Sequence, residues 1–216
     1  MKLISVNVSL PREVTWRGET VLTGIFKEPV EGPVMLRRLN LDGDGQADLS
    51  VHGGVSKAVY AYPSEHYDFW RGELPDMDLP WGMFGENLTT EGLFEDAVRI
   101  GDRFRIGEAE LVATEPRLPC FKLGIKFRRA DIIQRFLVSR RTGVYFAVIK
   151  EGLVAVGDPI RRVHRDKHGI TVADVIRVFA FDQNDLQTLK RAVQVEALPE
   201  KWRQRFRHQI EEQASN

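Results

Sequence analysis

Short runs in which apolar and polar residues alternate fill the first two-thirds of the chain. In ISVNVS (4–9), Ile4, Val6 and Val8 alternate with Ser5, Asn7 and Ser9, the two-residue period of a strand with one face buried. Similar runs recur in GIFKE (24–28), VMLRRL (34–39), AVYAY (58–62), VRIG (98–101), RFRIG (103–107), AELVAT (109–114), VYFAVI (144–149), LVAVG (153–157) and IRRV (160–163), and Gly or Pro punctuates nearly all of them. Two pairs predict tight hairpins: RFRI and AELVA around Gly107-Glu108, and YFAVIK and LVAVG around Glu151-Gly152, with Gly at positive φ. So many short strands predict a mainly β fold, a sandwich or barrel. Two helices interrupt it. SEHYDFW (64–70) follows Pro63 with Ser64 as its cap, and ADIIQRFLVSRR (130–141) puts Ile132, Ile133, Phe136 and Leu137 on one face.

After about residue 166 the period changes to that of helices. Val172, Val175, Ile176 and Phe179 recur at helical spacing behind Thr171, with Asp174 three residues on as in a capping box. A second helix is predicted with Asp182 as cap and Phe181 and Leu186 as a hydrophobic staple. A third starts near Pro199 and repeats Leu198, Trp202, Phe206 and Ile210. The expected organisation is a β domain over 1–165 and a three-helix domain over 166–216, joined by DKHG (166–169).

Composition narrows the setting. The 216 residues carry 31 basic and 31 acidic side chains, so no global field points to nucleic acid or an anionic membrane. The third helix carries Lys201, Arg203, Arg205 and Arg207, but spacing by two spreads them around a helix, so nucleic acid is not an expected partner. The N-terminus lacks a signal-peptide core, no apolar run is long enough to span a membrane, and one cysteine gives no internal disulfide. The expected location is the cytoplasm, with no membrane partner.

Few stretches carry chemistry. DGDGQADLSVHGG (42–54) begins like a calcium loop, yet Ala47 and Gly53 stand where that loop needs Gly and a bidentate Glu. One Cys and five scattered His lack zinc-ligand spacing, although a site using His52 and His66 stays open. In VHGGVSKAVYAY (51–62), Gly53 and Gly54 free backbone N–H groups for close approach to an anion, and Lys57 adds a cation. In WGMFGENLTTEGL (81–93), Asn87 and Thr89 offer neutral hydrogen bonds; both stretches also read as ordinary loops. Cys120 lies in PRLPCFKLG (116–124), stiffened by Pro116 and Pro119 and flanked by Arg117 and Lys122, which favour a thiolate. A buried structural thiol and a soft ligand to a soft metal both remain open; a papain-like nucleophile lacks an evident His or helix N-terminus.

Taken together, GDGQADLSVHGGVSKAVYAYPSEHY, FGENLTTEGL, GDRFRIGEAEL and EPRLPCFKLG, in this order, resemble the MOSC family (the C-terminal domain of molybdenum cofactor sulfurase) in its YiiM-like branch. The tail resembles the three-helix domain that follows the barrel in that branch. Ser56 stands where relatives often carry Asp or another polar residue. The resemblance implies a MOSC-type β-barrel with a few short helices and a small C-terminal three-helix domain. It implies molybdenum cofactor (molybdopterin) binding, with Cys120 as the molybdenum ligand. Gly53, Gly54, Lys57, Asn87, Arg117 and Lys122 are the expected cofactor contacts, with His52 beside Cys120 as a catalytic candidate and Lys122 a second proton donor. The implied activity is reduction of N-hydroxylated compounds such as 6-hydroxylaminopurine, with electrons from a flavoprotein, directly or through a carrier. The alternative is cofactor delivery, or sulfur carriage as a Cys120 persulfide. Pyridoxal phosphate is not expected, and a homodimer stays open.

Overall fold

The computed structural model describes residues 1–47 and 53–214. The strands are β1 (Lys2–Val8), β2 (Arg12–Trp16), β3 (Glu19–Thr23), β4 (Glu28–Pro29), β5 (Val34–Leu36), β6 (Val59–Pro63), β7 (Leu88–Glu91), β8 (Arg103–Ile106), β9 (Ala109–Pro116), β10 (Val144–Lys150), β11 (Gly152–Val154) and β12 (Ile160–His164). Helix α1 (Glu65–Glu73) follows β6, and α2 (Phe121–Phe127) and α3 (Ile132–Ser139) lie between β9 and β10. The chain ends in α4 (Val172–Ala180), α5 (Leu186–Ala192) and α6 (Glu200–Ala214). Among the described residues, no helix is long and apolar enough to cross a membrane.

Eight strands form one sheet in the order β12-β8-β9-β10-β6-β7-β1-β4, antiparallel except for the parallel pair β6 and β7. The expected barrel is not closed by strand ladders among the described residues. Instead the sheet rolls until the lead-in to β12 reaches β1, where Lys2 bridges Pro159 and the Leu3 N–H donates to the Asp158 carbonyl at 3.0 Å. Farther along β1 the same edge passes to β4, which pairs with Asn7 and Val8.

Strand β6 divides the interior in two. Its residues are all buried, and their alternation sends Val59 and Ala61 to one core and Tyr60 and Tyr62 to another. The first core is aliphatic and runs from Leu3, Phe104 and Phe146 of the sheet to Val175, Trp202 and Phe206 of the C-terminal helices. The second is aromatic and gathers Tyr67 and Trp70 of α1, Phe84, Phe127 of α2 and Phe136 of α3 around Tyr62. Tyr62 stacks on Phe84 at 4.6 Å and accepts a hydrogen bond from Trp70 Nε1 at 2.7 Å.

Several local expectations change. Asn7 and Ser5, expected to face solvent, are buried: Asn7 accepts from Ser5 Oγ at 2.7 Å and donates to Thr89 Oγ1 at 3.1 Å. Alternation marks two faces but cannot say that the polar one is wet. Of GIFKE, only Glu28 joins a strand, and VRIG is a turn whose Arg99 bridges Thr171. The hairpin at Gly107 forms, with φ of 54° there. The one at Gly152 does not, because β11 leaves β10 and pairs with β5. A Cβ on Gly152 would stand 2.6 Å from the Glu108 carbonyl carbon, so this glycine serves close approach. The Thr171–Asp174 capping box forms as read, whereas Asp185, one turn past Asp182, caps α5 and Ser64 makes no capping bond. The hairpin of β2 and β3 and the helix α2 carried no clear period and were not expected.

Because α6 contributes to the same core as the sheet, Phe206→Ala should destabilise the whole protein by about 3–5 kcal/mol, the usual cost of emptying a buried aromatic site. Guanidinium unfolding followed by far-UV circular dichroism should still show one transition. Separate loss of the helices would contradict a continuous core.

Candidate functional site

A half-open cleft lies beside the end of β9. Its lining comes from six stretches: Thr23, Gly24, Ile25 and Lys27; residues 44–47; Lys57 and Tyr60; Gly85 and Asn87; Arg117, Leu118, Cys120 and Lys122; and Tyr145. Among the lining side chains four cations, Lys27, Lys57, Arg117 and Lys122, face the single carboxylate of Asp44. Such a wall attracts anions, and its partial burial keeps solvent from screening the attraction.

Cys120 is placed by the way β9 ends. Beyond Pro116 the chain runs irregularly to Cys120, whose extended backbone (φ −127°) forms the N-cap of α2 and whose carbonyl accepts from Leu123 N–H at 2.9 Å. Sequence reading missed this helix because Gly124 sits in its middle. The glycine allows close approach to the Arg129 carbonyl, and Leu123 and Phe127, one turn apart, anchor the helix in the aromatic core. The Cys120 side chain makes no capping bond and is half-buried at the cleft.

Arg117 is buried, donates to the Phe84 carbonyl at 2.6 Å, and lies 5.0 Å from the Tyr60 ring centroid. Burial opposes its charge, but the Tyr60 and Tyr145 hydroxyls and the Cys120 thiol outweigh that and hold the guanidinium above its ordinary value. Burial also pushes the Tyr145 phenol up to about 12, so it remains a proton donor. Lys57 ends a short 3-10 turn, Val55–Lys57, and its ammonium is brought down to about 8, chiefly by burial.

Asn87 lines the cleft but its amide is committed. Its Oδ1 accepts from the Tyr60 N–H at 3.1 Å, and its Nδ2 donates to Asp44 Oδ2 at 2.9 Å and the Asn7 carbonyl at 3.4 Å. It therefore locks β1 to β6 and aims Asp44, rather than offering a free amide to a ligand. Gly53 and Gly54 precede the Lys57 turn and do not line the cleft; Gly54 takes φ of 94°, and its carbonyl accepts the Lys57 N–H at 3.0 Å. His52 lies outside the described residues. His66, the other histidine considered for a metal, is buried against Glu95 at 2.8 Å.

Sequence reading did not single out Lys27, Asp44 as an ion-pair partner, Tyr60, Tyr145, Glu115 or Lys126. Lys27 pairs with Asp44, which also accepts from the Ser9 N–H at 2.9 Å. Burial pushes the Lys27 ammonium down against that pull. Lys126 of α2 donates to the carbonyls of Ile25, Lys27 and Gly82 at 3.2, 3.2 and 2.7 Å, fixing the wall that carries Lys27. The available signal was a lysine set among apolar residues, Ile25-Phe26-Lys27 and Ile125-Lys126-Phe127, where an unneeded charge would be expensive to bury.

The curled sheet thus carries a cation-lined cleft with one thiol in its wall. The chain belongs to the MOSC family, in its YiiM-like branch: the MOSC domain model matches residues 48–161 and the YiiM-like, 3-alpha helix domain model matches residues 170–213. It is 41% identical over 204 residues to the uncharacterized protein YflK of Bacillus subtilis (strain 168), covering 94% of this chain and 92% of that one. It is 34% identical over 181 residues to a protein named reductase from Gibberella moniliformis, covering 82% of this chain but 32% of that longer one. The crystal structure of YiiM from Geobacillus stearothermophilus superposes with a TM-score of 0.81 at 29% identity, covering 97% of this chain and 98% of that one.

Lys126 gives a pH test of this wall. Burial lowers its ammonium to about 8 from an ordinary 10.5. The folded protein then releases the proton first, so stability should rise with pH between about 8 and 10. Urea titrations across that range should show a smaller rise for Lys126→Met than for the wild type. An unchanged slope would mean that Lys126 is not a buried ammonium.

Proposed function

We propose that the protein is a molybdenum-cofactor-dependent reductase of N-hydroxylated compounds. The observation that carries this reading is the position of Cys120, the chain's one sulfur nucleophile or thiolate ligand, in a cleft walled by Lys27, Lys57, Arg117 and Lys122. MOSC domains are associated with molybdenum cofactor binding in general, and one relative is named a reductase.

The donor set fits such a cofactor. Cys120 is the residue that would meet a soft metal, since thiolate is the soft ligand here. Lys57 and Lys122 would meet the cofactor's phosphate, and Arg117, already held by the Phe84 carbonyl, adds fixed positive charge behind them. Tyr60 and Asn87 are fixed by the backbone and shape the cleft rather than reach into it. When bound, the molybdenum centre would supply two electrons for reduction of an N–OH group to N–H with loss of water. That change also needs two protons per turnover. Lys57, near half protonation at about pH 8, can hold one at the cleft, and Lys122 is a second ammonium there. The electron source we infer is a flavoprotein, directly or through a carrier.

Molybdenum per chain, measured by elemental analysis in protein from a host that makes the cofactor, tests the reading. Near-stoichiometric metal is expected in wild type, with at least about a tenfold loss in Cys120→Ala when a metal–thiolate bond is removed. Reduction of 6-hydroxylaminopurine should fall in parallel. Folded wild type without molybdenum would turn the reading toward a persulfide carrier.

A further inference from the structure

A phenolic hydroxyl can donate one hydrogen bond and accept others, and a protein seldom leaves one idle away from water. Three of the chain's four tyrosines are buried in the aromatic core with the hydroxyl engaged. Tyr60 Oη donates to the Thr142 carbonyl at 2.9 Å, Tyr67 Oη donates to Glu86, and Tyr62 Oη accepts from Trp70 Nε1 at 2.7 Å. Tyr145 differs. It is half-buried and lines the cleft, and among the described residues no acceptor takes its hydroxyl proton. Its neighbours cannot take it. Lys57 Nζ lies 5.8 Å from its ring centroid, and Arg117 stands over the Tyr60 ring, itself 5.1 Å from that of Tyr145; ammonium and guanidinium groups donate only. The mount is rigid. Tyr145 sits in β10 between Tyr60 of β6 and Glu115 of β9, and its carbonyl accepts from Thr114 Oγ1 at 2.9 Å.

The other neutral side-chain amides and hydroxyls of the lining are held by the protein. Asn87 Nδ2 donates to Asp44, Gln46 Nε2 donates to the Lys57 carbonyl at 3.2 Å, Tyr60 is held by Thr142, and Thr23 has no exposed surface. An anion entering the cleft meets ammonium and guanidinium groups; an uncharged oxygen meets the Tyr145 hydroxyl. We propose that Tyr145 donates a hydrogen bond to the N–OH oxygen of the substrate and so distinguishes an N-hydroxylated molecule from its amine product. This deepens the reductase reading and rests on it for the substrate class. The amine lacks the oxygen, so its binding leaves the phenol without an acceptor and the product is held less tightly than the substrate. Burial, with Arg117 opposing it, pushes the phenol up to about 12, so the donor keeps its proton at neutral and mildly alkaline pH.

The test compares two ligands that differ by that one oxygen. The molybdenum-loaded chain, kept without an electron donor so that nothing turns over, is titrated calorimetrically with 6-hydroxylaminopurine and with 6-aminopurine. Wild type should bind the first about tenfold more tightly, the size of one hydrogen bond in a partly wetted cleft. Tyr145→Phe, which keeps the ring and removes only the hydroxyl, should bind both ligands alike, at the wild-type affinity for the amine. Molybdenum per chain should be the same in Tyr145→Phe as in wild type. A preference that survives in Tyr145→Phe would overturn the assignment, as would wild type that binds neither ligand or both equally. Loss of molybdenum in Tyr145→Phe would also overturn it, by assigning the hydroxyl to the cofactor. Folded wild type that takes up no molybdenum would sink the cofactor reading alone. The same titrations on that metal-free chain would then decide Tyr145: a preference for the N–OH ligand that Tyr145→Phe abolishes supports the hydrogen bond, and its absence or survival rejects it.

Discussion

Taking a carboxylate out of water demands a full set of donors around it, and three such carboxylates hold this structure's site together. Glu86, with no exposed surface, accepts from Tyr67 Oη, Thr89 Oγ1 and the N–H groups of Gly82 and Phe84. Burial still raises its proton affinity against those donors. Asp44 gathers Lys27, Ser9 and Asn87; Glu115 gathers Ser56, Trp202 and Lys201. Each draws its partners from chain segments that the sheet alone would leave apart. Of the three, the Asp44 cluster lines the cleft itself, through Asp44, Lys27 and Asn87, which is why that wall is polar although the cores beside it are not.

That arrangement explains what could be read from the sequence and what could not. Strands with a clear period, such as β8 and β9 around Gly107, and the capped helix α4 follow from local rules, because one face of each meets a single apolar core. Lys57, Arg117, Cys120 and Lys122 stood out in two separate loops from residue type and setting, and their convergence on one site was implied only by the family resemblance; all four line the cleft. Asn87 was legible as a position, but its amide bonds depend on Asp44 and Tyr60, which lie 43 and 27 residues away. Lys27 and Lys126 were marked only by their apolar neighbours, and their partners, carbonyls and a carboxylate, are fixed only by tertiary structure. The α2 helix escaped because a glycine needed for close packing is also the residue that usually argues against a helix.

The C-terminal helices sit differently from an appended unit. Trp202 and Phe206 lie in the sheet's aliphatic core, while Trp202 also reaches Glu115 through its indole N–H. The same side chain thus contributes to stability and to the back of the cleft. The relative named reductase is about three times as long as the segment it shares with this chain, so in that protein the shared fold works beside further segments.

The six stretches that line the cleft span residues 23 to 145. β6 meets β10 more than eighty residues on, and β1 meets β7 at a similar separation. A folding chain must close these long loops before the walls they carry have an opposite, and each closure costs chain entropy. Cys120 therefore meets Lys27, Lys57 and Tyr145 across the cleft only through contacts that are distant along the chain.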